Sequence, residues 1–149
     1  MIKMEIVVKT FHELTLNELY DVLKLRCEVF VVEQNCVYPD IDDKDQEALH
    51  IIGKDDSGIV AYTRCFSPGI YFTEAAIGRV VVKQEMRKFG YGYEIMKASI
   101  EALKSRYPTS VIKLSGQTYL IKFYESLGFR TIGKPYLEDG IPHIAMITT

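Results

Sequence analysis

The chain has 149 residues, of which 48% are hydrophobic and 26% are charged, and its formal net charge is −2. This length and composition predict one globular domain, residues 1–149, that buries a core without disulfides or metal. A near-neutral charge argues against nucleic acid as a partner, and no apolar run reaches the ~18 residues that a membrane span needs. Because no secretion signal precedes the first predicted strand, we expect a cytoplasmic protein.

The cysteines and the acidic residues give no sign of a metal site. The chain has an odd number of cysteines, Cys27, Cys36 and Cys65. Because their spacing also fits no metal motif, we expect reduced structural thiols. In the acidic segment 40–47, a lysine and an aspartate stand where an EF-hand loop needs an oxygen ligand and a glycine. The sequence therefore predicts no bound metal.

The first half of the chain predicts a strand, a helix and a long loop. Residues 5–9 predict the strand. Thr15 and Glu18 then have the spacing of a capping box, and apolar residues at intervals of three and four continue the helix to about residue 34. The polar, acidic segment 35–49 is longer than the usual connection of ~4–6 residues, which is typical of functional loops.

The remaining elements alternate between strands and helices. We predict strands at 50–53, 59–66, 75–82, 111–115, 129–133 and 143–147, and helices at 90–105 and 118–127. The first two of these strands flank a turn and form an antiparallel hairpin. This order predicts an α/β fold with a mixed sheet, and no repeat or linker divides the chain.

The most informative motif lies between the apolar strand 77–82 and the next helix. Its sequence is Arg87-Lys88-Phe89-Gly90-Tyr91-Gly92. A strand that passes through glycines into a helix directs backbone N–H groups and the positive end of the helix dipole toward one point, which suits a phosphate. Side chains at positions 90 and 92 would block that point. The spacing fits neither a nucleotide P-loop nor a dinucleotide fingerprint. Tight packing at a helix entry is the alternative reason for the two glycines.

A second motif lies before the carboxyl-terminal strands. Gln117 precedes the pair Phe123 and Tyr124 by about two helical turns, and Gly128 with Phe129 ends the helix. In this order and separation, the two motifs resemble the signature motifs of the GNAT acyltransferases, in which Asn is usual at the position of Gln117.

The resemblance implies the GNAT fold, a mixed and mostly antiparallel sheet whose fourth and fifth strands splay apart and admit the pantetheine arm of acetyl-CoA. It also implies transfer of an acetyl group from acetyl-CoA to an amine. The pyrophosphate would bind at residues 87–92, the acyl carbonyl and pantetheine at the backbone of residues 80–82, and a pantetheine amide at Gln117. The implied coenzyme residues are therefore Val80, Val81, Val82, Arg87, Lys88, Phe89, Gly90, Tyr91, Gly92 and Gln117.

By the same resemblance, Tyr124 would lie beside the sulfur and donate a hydrogen bond or a proton to the departing thiolate. Free tyrosine has a pKa of ~10 and a free thiol one of ~8.5, so complete proton transfer is uphill by roughly 2 kcal/mol before the environment acts. We therefore expect hydrogen bonding to contribute most. A tyrosine packed in the core is the alternative.

Segments from most of the chain also resemble the ElaA-like branch of the GNAT proteins. They are residues 25–34, 38–42, 50–53 and 139–143. ElaA-like proteins are described as predicted N-acetyltransferases without a settled substrate. The resemblance therefore implies a reaction and leaves the acceptor open.

Acyl transfer to an amine needs a neutral nucleophile, so a carboxylate or a neutral imidazole has to receive a proton. Glu33, His50 and His143 are the candidates for this base. Both histidines have apolar neighbours in the sequence, and a core histidine held by one hydrogen bond is the commoner role of such a residue. Arg26 and Glu33 lie on nearly the same helix side, where an ion pair that fixes the acidic loop would fit as well as substrate contact.

Two other functions stay open. The Arg26-to-Phe30 spacing and the acidic loop that follows also resemble the amino-terminal part of acyl-homoserine-lactone synthases, which share the GNAT core. The second is a regulatory module that binds acetyl-CoA without turnover. The expected partners are acetyl-CoA and an amine, with no nucleic acid or membrane, and a homodimer is left open.

Overall fold

The computed structural model describes residues 3–148, which form a seven-stranded sheet with helices on both faces. The strands are β1 (Glu5–Thr10), β2 (Leu49–Asp55), β3 (Gly58–Phe66), β4 (Ala75–Val82), β5 (Ile112–Gln117), β6 (Phe129–Glu138) and β7 (Ile141–Thr148). The helices are α1 (Leu16–Arg26), α2 (Tyr91–Arg106) and α3 (Ile121–Glu125). No helix in the described part of the chain is long and apolar enough to cross a membrane.

The strands are neighbours in the order β1-β2-β3-β4-β5-β7-β6. All neighbouring pairs are antiparallel except β4 and β5, which run parallel. The parallel pairing is limited to Ala75 opposite Ile112 and Ala76 opposite Lys113. The two strands then separate, so the mixed sheet with splayed central strands that the sequence predicts is confirmed.

The first helix begins where the capping box predicts. The Thr15 hydroxyl accepts a hydrogen bond from the backbone N–H of Glu18 at 3.0 Å, and the Glu18 carboxylate accepts one from the backbone N–H of Thr15 at 2.9 Å. After Arg26 the helix continues in π-helical form over Cys27–Glu33. π-Helical segments are rare and are frequently found at functional sites. This one ends at a predicted site residue.

Two apolar clusters, one on each face of the sheet, hold the helices in place. Ile95, Met96 and Leu103 of α2 pack against one face, and Val22 and Leu25 of α1 pack against the other. All five side chains are at most 3% exposed. Burial of each contributes roughly 1.5–3 kcal/mol. Because successive residues of a strand face opposite sides, β2 and β3 contribute to both clusters.

Buried ion pairs fold the long acidic loop onto the sheet. Arg26 has no exposed side-chain area and pairs with Asp40 at 2.9 Å and with Asp45 at 2.8 Å. Arg64 is equally buried and pairs with Asp42 at 2.7 Å and with Asp45 at 3.0 Å. Burial alone would raise the pKa of Asp42, but its hydrogen bonds to Arg64 lower it to about 2. The loop is therefore held by charge pairs inside the chain.

The structure differs from the predicted elements mainly near the carboxyl terminus. β6 continues to Glu138 and β7 begins at Ile141, so their hairpin is longer than predicted. Asp139 and Gly140 form its turn with φ values of 51° and 78°, the positive angles that tight hairpins need. The predicted helix at 118–127 begins as a 3₁₀ turn over Thr118–Leu120. Most of β6 is exposed, so its sequence lacks the apolar alternation that reveals a strand.

Candidate active site

The separation of β4 and β5 opens a cleft of about 470 Å³ in the middle of the sheet. Its walls come from the π-helical segment, from β4 and β5, from α3 and from the β6–β7 hairpin. Concave sites of this size, apolar with a few convergent polar groups, commonly bind small molecules. The cleft is lined by nine of the predicted site residues, namely Glu33, Val80, Val81, Val82, Arg87, Gly92, Gln117, Tyr124 and His143.

The predicted phosphate loop connects β4 to α2 at one end of this cleft. A 3₁₀ turn covers Gln84–Phe89, and Gly90 is the N-cap residue of α2 with left-handed backbone angles, φ 75° and ψ 14°. Other residues are strained at such angles, so the turn favours glycine. A Cβ at Gly90 would meet open space, with no described atom within 4 Å. Gly92 follows in the first turn of α2 and lines the cleft. The amino terminus of a 16-residue helix therefore reaches the cleft.

Three other side chains of this loop do not line the cleft. Lys88 and Phe89 are exposed, with the Lys88 Nζ 5.5 Å from the centre of the Phe89 ring. Tyr91 is 6% exposed and packs into the core. The wall of the cleft is therefore formed without these three side chains.

Arg87 contacts a residue predicted for the acceptor side. Its Nη1 and Nη2 donate to the two carboxylate oxygens of Glu33 at 2.5 and 2.7 Å, and its Nε donates to the carbonyl of Val82 at 3.1 Å. Arg26 instead pairs with Asp40 and Asp45, so the predicted ion pair that fixes the acidic loop is confirmed for Arg26. A guanidinium binds phosphate oxygens with the same two-pronged geometry as a carboxylate. Arg87 is thus available for exchange from Glu33 to a phosphate.

Tyr124 lies on α3 with its ring buried in the cleft wall. It is 5% exposed and packs edge-to-face against Phe123 and Phe129, at centroid distances of 5.2 and 6.2 Å. Burial raises the pKa of Tyr124 above its usual range, and the nearby Tyr119 raises it further. Because the tyrosinate is disfavoured, this hydroxyl suits hydrogen-bond donation better than complete proton transfer.

Gly116 of β5 makes room for the Tyr124 ring. A Cβ at position 116 would lie 2.9 Å from Cε2 and 3.1 Å from Cδ2 of that ring. Sequence reasoning missed this role. The available signal was a glycine at the end of a predicted strand, which often marks the close approach of another group.

A bulge in β4 lies beside the cleft. Between Gly78 and Val81, three steps along β4 correspond to two steps along β3. Within it, Arg79 has a φ of 47°, which is uncommon for a residue other than glycine. Bulges interrupt the ladder of hydrogen bonds, so they leave backbone groups near Val80 for a ligand. The available signal in the sequence was Gly78, because an isolated glycine inside a strand suggests a bulge.

His143 lies on β7 in the cleft wall and is 7% exposed. Its Nδ1 lies 2.7 Å from the carbonyl oxygen of Ile141, and its Nε2 lies 3.4 Å from Oε2 of Glu138. It stands opposite Gln117 of β5, which also lines the cleft. Sequence reasoning missed Glu138, because the predicted strands ended before the hairpin turn.

His50 lies on β2, outside the cleft, and is 1% exposed. Its Nε2 lies 2.9 Å from the carbonyl oxygen of Asp45, and its Nδ1 lies 2.6 Å from the hydroxyl of Tyr62. A carbonyl oxygen only accepts, so Nε2 carries the hydrogen and Nδ1 accepts from Tyr62. Burial lowers the pKa of His50. The structure thus favours the core histidine over the acceptor-site base for this residue.

The cysteines are free thiols of different exposure. Cys27 is exposed, Cys36 is half-buried in the cleft wall, and Cys65 is fully buried, which raises its pKa to about 12. Among residues 3–148, no group of three or more His, Cys, Asp or Glu side chains is placed to hold a metal ion.

Comparison with known proteins identifies the family. The acetyltransferase (GNAT) domain family matches residues 15–149. A UPF0039 protein from Schizosaccharomyces pombe is 43% identical over 148 residues, which cover 98% of this chain and 97% of that protein. Protein ElaA from Escherichia coli is 40% identical over 136 residues, which cover 90% of this chain and 89% of ElaA. The chain belongs to the GNAT acetyltransferase family, and its relatives include the ElaA proteins.

Solved structures agree with this assignment. The crystal structure of an acyl-CoA N-acyltransferase from Pseudomonas aeruginosa superposes with a TM-score of 0.93 at 36% identity, over 99% of this chain and all of that one. The crystal structure of E. coli ElaA gives a TM-score of 0.90 at 37% identity, over all of both chains. The acyl-homoserine-lactone synthase LasI has a TM-score of 0.78 at 14% identity, over 98% of this chain and 89% of that one, so that likeness is of fold alone.

Proposed function

We propose that this protein transfers an acetyl group directly from acetyl-CoA to a primary amine of a small molecule or peptide. One observation carries the proposal, namely that the cleft between β4 and β5 brings Arg87, Gly92, Tyr124 and His143 into one cavity. The family supports acyl-CoA as the donor. The acetyl group, the kind of acceptor and the cytoplasmic location remain our predictions.

Each wall of the cleft has a part in this proposal. The backbone N–H groups of residues 87–92 bind the pyrophosphate at the amino terminus of α2, and Arg87 adds its charge. Pantetheine lies between the splayed strands, where it meets the backbone of residues 80–82 and the side chain of Gln117. The thioester then lies beside Tyr124. In this arrangement the reacting carbonyl lies near the wall of the cleft that the β6–β7 hairpin forms, and His143 is part of that wall.

The reaction forms one C–N bond and breaks one C–S bond. The neutral amine attacks the thioester carbonyl carbon while its proton moves to Nε2 of His143. Tyr124 donates a hydrogen bond to the sulfur as negative charge develops there. The thiolate leaves, takes up the proton and becomes the thiol of CoA, and the amine becomes an amide. Glu33 is the second candidate for the base, since a phosphate at Arg87 would free its carboxylate.

The direct test is thiol release from acetyl-CoA in the presence of a panel of amines. We expect release that depends on both the protein and one class of amine. Release from longer acyl-CoAs with a methionine-derived amine would instead indicate a lactone-synthase-like activity. Binding of acetyl-CoA by calorimetry without release for any amine would indicate a regulatory module.

The phosphate loop is tested by Gly90→Val. The valine strains the left-handed turn and places a side chain among the N–H groups, so we expect acetyl-CoA to bind at least about tenfold more weakly. Gly133→Val is the matched control, because Gly133 has a φ of 72°, a Cβ there also meets open space, and it lies on the exposed edge strand β6. Both variants carry a strain of roughly 1–3 kcal/mol. Equal affinity for acetyl-CoA in the two variants would contradict the loop assignment.

A further inference from the structure

A cluster of polar side chains on the β6–β7 hairpin surrounds the imidazole of His143. Tyr136 lies opposite His143 in the pairing of β6 with β7, and its ring stacks on the imidazole at a centroid distance of 6.4 Å and an angle of 22°. Ser115 of β5 hydrogen-bonds the Tyr136 hydroxyl and donates to Oε1 of Glu138 at 3.3 Å. The other carboxylate oxygen of Glu138 faces the imidazole. Both the ring and the carboxylate are therefore held in place.

The Ile141 carbonyl determines which ring nitrogen of His143 reacts. The distance from Nδ1 to this oxygen is 2.7 Å, and a carbonyl oxygen only accepts, so Nδ1 carries the hydrogen. In the neutral ring, Nε2 then has the lone pair and is the nitrogen that takes up a proton. Nε2 is also the nitrogen that lies 3.4 Å from Oε2 of Glu138.

Glu138 is the charged side chain in contact with the imidazole. An opposite charge at close range stabilises an imidazolium while the reaction forms it. Asp139 in the hairpin turn also lines the cleft. Across the cleft, Arg79 and Arg87 are each paired with a carboxylate at 2.8 and 2.5 Å, and Tyr124 stays neutral because burial raises its pKa. Glu138 is therefore the carboxylate that an imidazolium at position 143 meets.

We propose that Glu138 is a positioning residue for acetyl transfer, which holds the His143 ring and stabilises the imidazolium formed when the amine loses its proton. This inference rests on the proposed function. The proton leaves the amine nitrogen as the C–N bond forms and resides on Nε2 beside the Glu138 carboxylate. It returns to the thiolate when the C–S bond breaks, so the histidine and the carboxylate end the cycle unchanged.

The test uses Glu138→Gln, which removes the charge, keeps the side-chain size and alters a side chain that is 47% exposed. In the protein without acetyl-CoA, ¹⁵N NMR measures the ratio of doubly protonated to neutral His143 at a fixed pH. The peak is assigned with His143→Gln. We expect the ratio to fall about threefold to fivefold in Glu138→Gln, because the pair is partly exposed to solvent. In the transfer reaction, the acid limb of kcat/KM for the amine moves to lower pH, while acetyl-CoA binds as before.

The matched control is Asp139→Asn, which removes a neighbouring carboxylate that has no contact with the ring nitrogen in the described structure. Here the ratio should change by less than about twofold. An unchanged ratio in Glu138→Gln, or an equal change in both variants, would overturn the inference. A fall of the expected size without movement of the acid limb would also overturn it, because His143 would then act outside the reaction. Failure of the proposed function is a different result, namely that the wild-type protein releases no thiol from acetyl-CoA. The two failures can be told apart because the NMR ratio is measured without turnover.

Discussion

His50 and His143 are both buried histidines, and each uses one ring nitrogen on a backbone carbonyl oxygen. They differ at the second nitrogen. In His50 it accepts a hydrogen bond from Tyr62, and the surrounding buried arginines are paired with aspartates of the acidic loop. In His143 it faces the carboxylate of Glu138 at the wall of an open cleft.

The difference shows how one residue type serves two purposes. Around His50 the polar groups find partners within the chain, so they fix the acidic loop and contribute to stability. Around the cleft, Arg87, Tyr124 and His143 keep hydrogen-bonding capacity that a ligand can use. Substitutions in the first region should therefore lower the free energy of unfolding, and substitutions in the second should lower binding or turnover.

The largest effect is expected when Arg26 is replaced by methionine. The change leaves Asp40 and Asp45 buried without one of their partners, and breaking a buried pair in this way costs about 3–5 kcal/mol. Urea unfolding measures it as a lower midpoint with a similar slope.

Arg87→Met is the comparison at the cleft. The pair of Arg87 with Glu33 is partly exposed, and such pairs contribute about 0–1 kcal/mol. We expect a nearly unchanged urea midpoint together with weaker acetyl-CoA binding. Similar destabilisation by both variants would contradict the distinction between the two regions.

The next effect compares two buried tyrosines. Tyr124→Phe removes the hydroxyl that we propose as the donor to the developing thiolate, so we expect turnover to fall about 10²-fold with little change in acetyl-CoA affinity. Tyr62→Phe removes the donor to His50, so we expect a loss of about 1–3 kcal/mol in unfolding free energy and normal turnover per folded molecule. Steady-state kinetics measures the turnover of both variants, and urea unfolding measures their unfolding free energies. A turnover loss of equal size in Tyr62→Phe would show that the regions are coupled.

The sequence predicted the local elements around the phosphate loop better than the contacts between distant segments. The glycines at 90 and 92, the strand before them and the helix after them are neighbours in the chain, so their arrangement follows from local preferences. The contact between Arg87 and Glu33 joins residues 54 positions apart, and no periodicity reveals it. For Arg26 the sequence offered an ion pair that fixes the acidic loop, but its particular partners, Asp40 and Asp45, depend on how that loop folds back onto α1. Glu138 was hidden because the exposed strand β6 lacks an apolar pattern.

The smallest effect is a pH dependence that separates the two histidines. Burial lowers the pKa of His50 below the value of about 6.5 that it has in the unfolded chain. As the pH falls below 6.5, the unfolded state takes up a proton that the folded state does not, so the free energy of unfolding falls. One proton gives a slope of up to about 1.4 kcal/mol per pH unit, and we expect a loss of about 1 kcal/mol between pH 6.5 and 5.5. Below pH ~4 a further loss follows in all variants, because Asp42 takes up a proton at about pH 4 in the unfolded chain, whereas beside Arg64 in the folded protein its pKa is about 2.

Urea unfolding at several pH values tests this dependence in wild type, His50→Gln and His143→Gln. The loss between pH 6.5 and 5.5 should disappear in His50→Gln, whatever the absolute stability of that variant, because its buried side chain no longer titrates. The loss should persist in His143→Gln, because His50 is intact in that variant. Equal slopes in wild type and His50→Gln would mean that another group accounts for the acid sensitivity. That result would contradict the assignment of His50 to stability and of His143 to the cleft. The different partners of their second ring nitrogens would then have no measurable effect on how the unfolding free energy depends on pH.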